Sequence, residues 1–388
     1  MQHVKLMKEN IISRNAIPIF LVPVIMTALV FFSGCVSVTN TSHHLSAEKE
    51  KITYKYRIAD WYNFKHAACS ITFDDGTLDQ YCVAFPELEK RNLKATFFII
   101  TGSRDTGIWH EGRIERRLFS WKQAKEMAFS GHEIASHSRT HADLTNTQND
   151  ITEELKASKH EILHHIPAYQ KRGITFSWPY WRNNNKLQKI AGRYYIGARG
   201  GGGDVRFYPK RYGGIPEKTP PNFYQINAMS VTERYGADQM KNLCDITYNA
   251  GGWFLTCFHG IDDGKIPKNA VGWDPLLLQH FIAALDYIKN KKYWIGTFGE
   301  VIRYIHERNQ AIVTINSKDR NSIRFSVEDG LDDTVYYMPL TIEITVPPHW
   351  QKVKIYRNNS YVYSTTVKKG KVICNISPDG SMIRMLSY

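Results

Sequence analysis

Acidic side chains are scarce in this chain of 388 residues: 37 Asp and Glu stand against 50 Lys and Arg, a formal net charge of +13 at pH 7. Setting aside an N-terminal segment that holds Lys5, Lys8, Arg14 and Glu9 leaves a surplus of about eleven, which suits acidic partners but is more often a solubility feature. Cysteine is scarce as well. Of the 6 cysteines, Cys35 stands apart near the start, and Cys69, Cys82, Cys244, Cys257 and Cys374 form an odd, widely spaced set that excludes a dense disulfide framework. A phosphate-cradling loop is missing: Gly200 to Gly203 follows Arg199 with neither a G-x-G-x-x-G nor a Walker pattern, so it reads as a flexible loop. The apolar run Ile17 to Phe32 is shorter than a bilayer-crossing helix requires.

What is present begins with that run. Basic residues before it and Ser33-Gly34-Cys35 after it describe a secretory signal over 1–34, and the small residues before Cys35 are similar to a bacterial lipobox. The expectation is an exported protein of the bacterial cell envelope, lipid-anchored to the membrane through Cys35, with a polar tether over 35–60. A soluble secreted protein cut nearby and an uncleaved anchor are the alternatives. Nucleic acid is not an expected partner.

The chemistry lies further on. The β-branched run Ser70-Ile71-Thr72-Phe73 ends in Asp74-Asp75-Gly76, and Glu133-Ile134-Ala135-Ser136 ends in His137, with His141 four positions later. Taken singly, Asp-Asp-Gly is a common turn and H-x-x-x-H a common surface pair. Together, one carboxylate and two neutral imidazoles suit Zn²⁺ or a similar divalent metal, and three protein ligands leave a position for water and substrate. The second carboxylate is then free to act as a base.

These segments, with Ala95-Thr96-Phe97-Phe98 between them and Gly131-His132 before the second, resemble the first half of the polysaccharide deacetylase family, which carries the NodB homology domain and is also called carbohydrate esterase family 4. The resemblance covers roughly residues 65 to 305. It implies a distorted (β/α) barrel, Asp74 as general base, and Asp75, His137 and His141 as metal ligands. In the family's third motif an Arg orients the catalytic Asp, and the backbone amide of an aromatic residue helps to hold the oxyanion; here the segment reads Ser177-Trp178-Pro179-Tyr180-Trp181. The Tyr180 amide is retained, the Arg is not, and Arg182 and Arg199 are both candidates to replace it. His259, which ends the apolar run Trp253 to Phe258, corresponds to the family's general acid. Its usual Asp partner is missing from Asn227 to Ser230, leaving Asp262 or Asp263 as substitutes. The implied reaction is hydrolysis by water acidified on the metal, with no acyl-enzyme. Trp178, Pro179, Trp181 and Arg199 are candidates for binding substrate; Trp178, Tyr180 and Trp181 form either a sugar-stacking wall or barrel packing.

The remaining pattern sets the architecture. Strand-like runs at 68–73, 95–101, 133–137, 175–178, 194–198, 223–228, 253–259 and 294–298 alternate with helical patterns, among them a Ser120/Gln123 capping box and an apolar stripe over Pro275 to Asn290. Strands alternating with helices mean parallel pairing, so the fold class is α/β, a barrel over 61–308 with its key residues at downstream strand ends. From Ala311 short alternating strands follow without a helix, which predicts a small antiparallel β-sandwich over 311–388, either a packing or a carbohydrate-binding module. The expected activity is metal-dependent removal of acetyl groups from an acetylated polysaccharide or oligosaccharide, at N-acetyl or O-acetyl groups. The competing reading is a surface glycan-binding lipoprotein of the same fold without turnover.

Overall fold

The computed structural model describes residues 55–388 apart from 147, 170–172, 202–213, 216–217 and 235–236. The signal-like segment 1–34, the expected lipid acceptor Cys35, most of the expected 35–60 tether, and Gly202 and Gly203 lie outside the described residues. Ala68–Phe73 (β1), Ala95–Ile99 (β2), Glu133–Ser136 (β3), Phe176–Ser177 (β4), Ala198–Gly201 (β5), Ile226–Ser230 (β6) and Trp253–Phe258 (β7) pair in parallel in that order. β7 pairs back onto β1 along its whole length, from Trp253 opposite Ala68 to Phe258 opposite Phe73, which closes a distorted barrel. A short strand, Trp294–Ile295 (β8), docks on the start of β1.

Alternation along β1 gives the barrel two environments. Cys69, Ile71 and Phe73 face the surrounding helices, where Phe73 stacks on Phe97 at 4.7 Å and meets Phe281 of the helix Leu278–Asn290. That helix buries Phe281, Ala284, Leu285 and Ile288, one stripe at helical spacing. The opposite face of the strands points inward and is largely polar: Ser70 Oγ accepts from Trp253 Nε1 at 3.1 Å, and Glu133 accepts from the hydroxyls of Thr96 and Thr175 at 2.9 and 2.7 Å. Because these bonds tie one strand to another, the lumen is a cross-linked core rather than a channel.

The barrel's lower end is stopped by the helix Phe298–Gln310. Its first amides donate into the lumen, Phe298 N to Thr96 Oγ1 and Gly299 N to Glu133 Oε2, both at 2.8 Å. A capping box between Thr297 and Glu300 starts this helix, which is why the strand expected over 294–298 ends at Ile295. The strand expected over 194–198 is likewise displaced to Ala198–Gly201. Tyr194 and Tyr195 still donate to the Ala191 carbonyl and so finish the preceding helix Asn185–Ala191.

Two antiparallel sheets follow the barrel. One has five strands, in the order Ile312–Lys318, Ser322–Glu328, Ile383–Ser387, Lys352–Arg357, Ser360–Thr366; the other pairs Leu340–Thr345 with Lys371–Ile376. Tyr56–Ile58 adds a third strand to the second sheet, Tyr56 opposite Ile344 and Ile58 opposite Ile342, so these residues are sheet rather than part of a tether reaching to 60. The two sheets share one apolar cluster, including Phe325, Ile342, Ile344 and Val353, with the helix Phe298–Gln310 and the barrel's lower end. The described cysteines, Cys69, Cys82, Cys244, Cys257 and Cys374, are free thiols. Among the described residues no helix is long and apolar enough to cross a membrane.

Candidate active site

The site gathers at the downstream ends of the barrel strands, where β1 turns. Asp74 N donates to the Phe258 carbonyl at 2.9 Å, and then Asp75 (φ 71°) and Gly76 (φ 75°) reverse the chain. Arg104, which the sequence did not single out, holds this turn from below. Its guanidinium donates to the carbonyls of Asp75 at 2.8 Å, Gly76 at 2.9 Å and Phe119 at 2.6 Å, while Nε donates to Ile100 O. Burial pushes this guanidinium down to about 9, partly offset by Asp75. Gly76 is obligatory: a Cβ there would lie 1.9 Å from Arg104 Nη2. Gln80 Nε2 donates to both the Asp74 and His259 carbonyls, at 2.5 and 2.7 Å, tying the two strand ends together.

The histidine loop is fixed with equal care. Ser138 and His141 both have positive φ, at 64° and 63°, and His141 N donates to Ser138 Oγ. The Glu154 carboxylate accepts from the amides of Arg139 and Thr140, at 3.0 and 2.9 Å, and from the Thr140 hydroxyl. His137 Nδ1 donates to the Ser177 carbonyl at 2.8 Å, which leaves its Nε2 lone pair directed at Asp75. Burial lowers both His137 and His141 to about 4, so both imidazoles are neutral at pH 7, the form in which a metal is bound.

Asp75 Oδ1 lies 3.6 Å from His137 Nε2 and 3.5 Å from His141 Nε2. It is buried and has no hydrogen-bond partner. Three donor atoms at these separations are too far apart to bond one another, yet close to the ~3.4 Å edge of a tetrahedron with metal–ligand bonds of about 2.0–2.1 Å. The donor set and its spacing therefore fit a divalent cation held by Asp75, His137 and His141, a possible metal-binding group.

Asp74 belongs to a second arrangement. Arg199 Nη2 donates to Asp74 Oδ2 and, at 2.6 Å, to Ser177 Oγ. Arg199 stands on β5 and Asp74 at the end of β1, three strands apart by the shorter way round the barrel, so this contact crosses the lumen. Burial alone would push the Asp74 carboxyl up, but Arg199, His137 and His259 outweigh it and hold the group well below the usual carboxylate range. Of the two candidate guanidiniums, Arg199 thus reaches Asp74, and its complete burial removes it from the substrate-facing set in which the sequence placed it. Arg182 pairs instead with Asp143 on the surface, at 2.5 Å. His259 Nε2 lies 3.9 Å from Asp74 Oδ2, and its Nδ1 is buried without a partner. Neither Asp262 nor Asp263 supplies one: Asp262 accepts from Gly264 N, and Asp263 from the amides of Lys265 and Ile266, so both cap a turn. Asp79, overlooked in the sequence, shapes that loop by accepting from Ile261 N at 2.5 Å and Gly272 N at 3.2 Å. Burial raises its carboxyl to about 7.

The aromatic residues divide. Trp178 is fully buried, donates to the Tyr224 carbonyl and packs on Phe176, and Pro179 is buried beside it; these two are packing, not a sugar wall. Trp181 is half-buried against the inner cluster. Tyr180 is 57% exposed, with its ring 4.6 Å from that of His141. Two aromatics that the sequence pattern did not mark lie beside the site: Trp273, 45% exposed, stands on the rim 5.1 Å from His259, and Trp109, buried, packs 5.0 Å from His141. Trp109 sits on a hairpin, Ile108–Glu111 with Ile114–Arg117, far in sequence from every ligand.

Residues 62–196 match the family model described as polysaccharide deacetylase. Over 339 residues the chain is 24% identical to a gellan lyase of Bacillus sp, covering 81% of this chain and 12% of that protein. It is 31% identical over 121 residues to the putative polysaccharide deacetylase YxkH of Bacillus subtilis (strain 168), covering 31% of this chain and 39% of that protein. Among solved structures it is similar to the Streptococcus pyogenes deacetylase PplD in complex with acetate, at 27% identity and a TM-score of 0.34, over 42% of this chain and 63% of the other. The chain thus spans well under half the length of either curated relative.

Proposed function

We propose that this protein is a metal-dependent hydrolase that removes acetyl groups from an acetylated polysaccharide. The observation that carries the reading is the convergence of Asp75 Oδ1, His137 Nε2 and His141 Nε2 within 3.6 Å contacts, beside a second carboxylate, Asp74, held ionised by Arg199. The imidazole-rich donor set suits Zn²⁺ best. A divalent cation bound there lowers the pKa of water and polarises a carbonyl oxygen. Asp74, kept anionic, accepts the proton of the attacking water. Arg199, itself held by Ser177 Oγ, fixes Oδ2 of the carboxylate and leaves Oδ1 without a partner. The Tyr180 backbone amide, on the turn beside His141, donates to the developing oxyanion. His259, its Nε2 facing Asp74, protonates the departing nitrogen or oxygen, and acetate leaves. Tyr180 and Trp273, both exposed, line the approach with rings suited to sugar.

The match to that family model and the likeness to a lyase named for the polysaccharide gellan both support a polysaccharide substrate. We also keep the envelope setting, with lipid on Cys35, as part of this reading. A non-catalytic glycan binder is motivated by the missing third-motif Arg and by the missing partner of His259; Arg199 compensates the first, while His259 Nδ1 stays without a partner.

Free acetate released from acetylated chitooligosaccharide, peptidoglycan and xylan tests the proposal. We expect release from at least one that stops on chelation, and Asp74→Asn to lower it about 10²–10⁴-fold while metal content is retained. No metal-dependent release from any of the three, under conditions where the protein is folded, refutes it.

A further inference from the structure

The C-terminal five-stranded sheet has an outer face that the catalytic reading does not use. Its inward residues, Ile323, Phe325, Val353, Ile355, Ile383 and Met385, are buried in the core shared with the second sheet. The residues between them point outward. On that outer face, four side chains on four neighbouring strands stand directly opposite one another: Arg324 opposite Arg384, Arg384 opposite Tyr356, and Tyr356 opposite Tyr361.

Two features of this row are costly for the sheet alone. Like charges directly opposite each other destabilise a strand pair, and Arg324 and Arg384 occupy such a position. Arg384 Nε is also buried without a hydrogen-bond partner. The last pair, in turn, depends on a β-bulge. Ile355 pairs with Tyr363 and the next residue, Tyr356, pairs with Tyr361, so Val362 is the extra residue that re-aims Tyr361 onto the face of Tyr356. The two rings lie 5.8 Å apart in an edge arrangement, and Tyr361 remains 58% exposed. One step along the strands, Lys354 lies over the ring of Tyr388, also 58% exposed, at 4.8 Å. Lys352 adds a further cation; of the nearby acids, Asp319 lies within reach of the Arg384 charge, and Glu328 ends its strand.

We infer that this face is a second glycan-binding surface, separate from the barrel's site, and that its ligand is an acidic polysaccharide. The tyrosine rings offer apolar platforms for sugar rings, and Arg324, Arg384, Lys352 and Lys354 pair with carboxylates repeated along the polymer. Charge alone would serve any polyanion, including DNA. The re-aimed tyrosines favour a carbohydrate. This surface does not depend on the barrel's metal or on its turnover.

The test is affinity electrophoresis of the full chain in gels containing polygalacturonate, a neutral glucan such as dextran, or duplex DNA, for the unaltered protein and for two double variants, Tyr356→Ser with Tyr361→Ser and Arg324→Gln with Arg384→Gln. All replaced side chains lie on the outer face of the sheet, and a thermal melt checks that each variant is folded. The expected result is retardation by polygalacturonate and not by dextran, weakened about ten-fold in each double variant, with acetate release from a short oligosaccharide unchanged. Polygalacturonate binding that survives both double variants overturns the inference, as does the absence of such binding in the unaltered protein. Equal retardation by DNA that the tyrosine variant leaves untouched also overturns it, since the face would then be a general polyanion patch.

Discussion

Arg199 and Asp74 form an ion pair sealed from water, and the physics of such pairs makes it testable. Removing one partner strands the other as a buried charge, which costs about 3–5 kcal/mol. Arg199→Ala is therefore expected to lower the unfolding free energy by about that much in a urea titration, with turnover lost and metal content little changed. A loss of under about 1 kcal/mol would mean that Asp74 is solvated by other means. Gly76 makes a second prediction at this scale. Gly76→Ala forces a Cβ onto Arg104 at a positive φ, so it should destabilise by more than about 1 kcal/mol. The same titration reads it, and a neutral outcome would mean the turn can open without disturbing Arg104. His132 supplies the pH dependence. Its Nδ1 accepts from Ala95 N and its Nε2 faces Glu89, and burial lowers it to about 4. Because the unfolded chain takes up this proton first, the stability it contributes is present above about pH 6.5 and is lost as pH falls towards 4, at roughly 1.4 kcal/mol per pH unit at most. His132→Asn should flatten the unfolding free energy over that window; an unchanged slope would assign it to other groups.

At the scale of elements, the strands that carry the chemistry were legible because each is a short β-branched or aromatic run ending in a polar residue. β1 has the expected limits, and the Ser120/Gln123 capping box starts the helix Trp121–Phe129. The helix Phe298–Gln310 was missed although Thr297-Phe298-Gly299-Glu300 carries the capping pattern, because the apolar run Trp294 to Phe298 outweighed it. The final strand Ile383–Ser387 was missed because its five residues are too few to show a period. Linear order conveys least about the side chains that brace the site. Arg199 meets Asp74 only once the barrel closes, Arg104 acts through carbonyls that any sequence supplies, Trp109 sits on a short hairpin and Trp273 on a loop with no pattern of its own. Spacing revealed the ligands; closure chose what surrounds them.

For the whole molecule, the C-terminal sheets are joined to the barrel's lower end. Arg303 Nε donates to Val335 O at 2.8 Å, Met338 N donates to Glu307 at 3.1 Å, and Tyr304 Oη donates to Ala59 O at 2.9 Å, all around a helix whose Val301, Ile302 and Ile305 are buried. A chain ending at Gln310 would expose that apolar face and leave Tyr56–Ile58 without its partner strand. Such a truncation is expected to aggregate, as read by soluble yield and size-exclusion chromatography, and a soluble, active barrel would show the two parts to be independent.

The central claim is that one acid and two imidazoles, far apart in the chain, grip a single cation that hydrolysis requires. An anomalous difference map at the zinc absorption edge, from crystals of the full chain grown with Zn²⁺, tests it most directly. The account predicts one strong peak bonded to Asp75, His137 and His141. A map with no peak there, or with the metal seated elsewhere while acetate is still released, would contradict it.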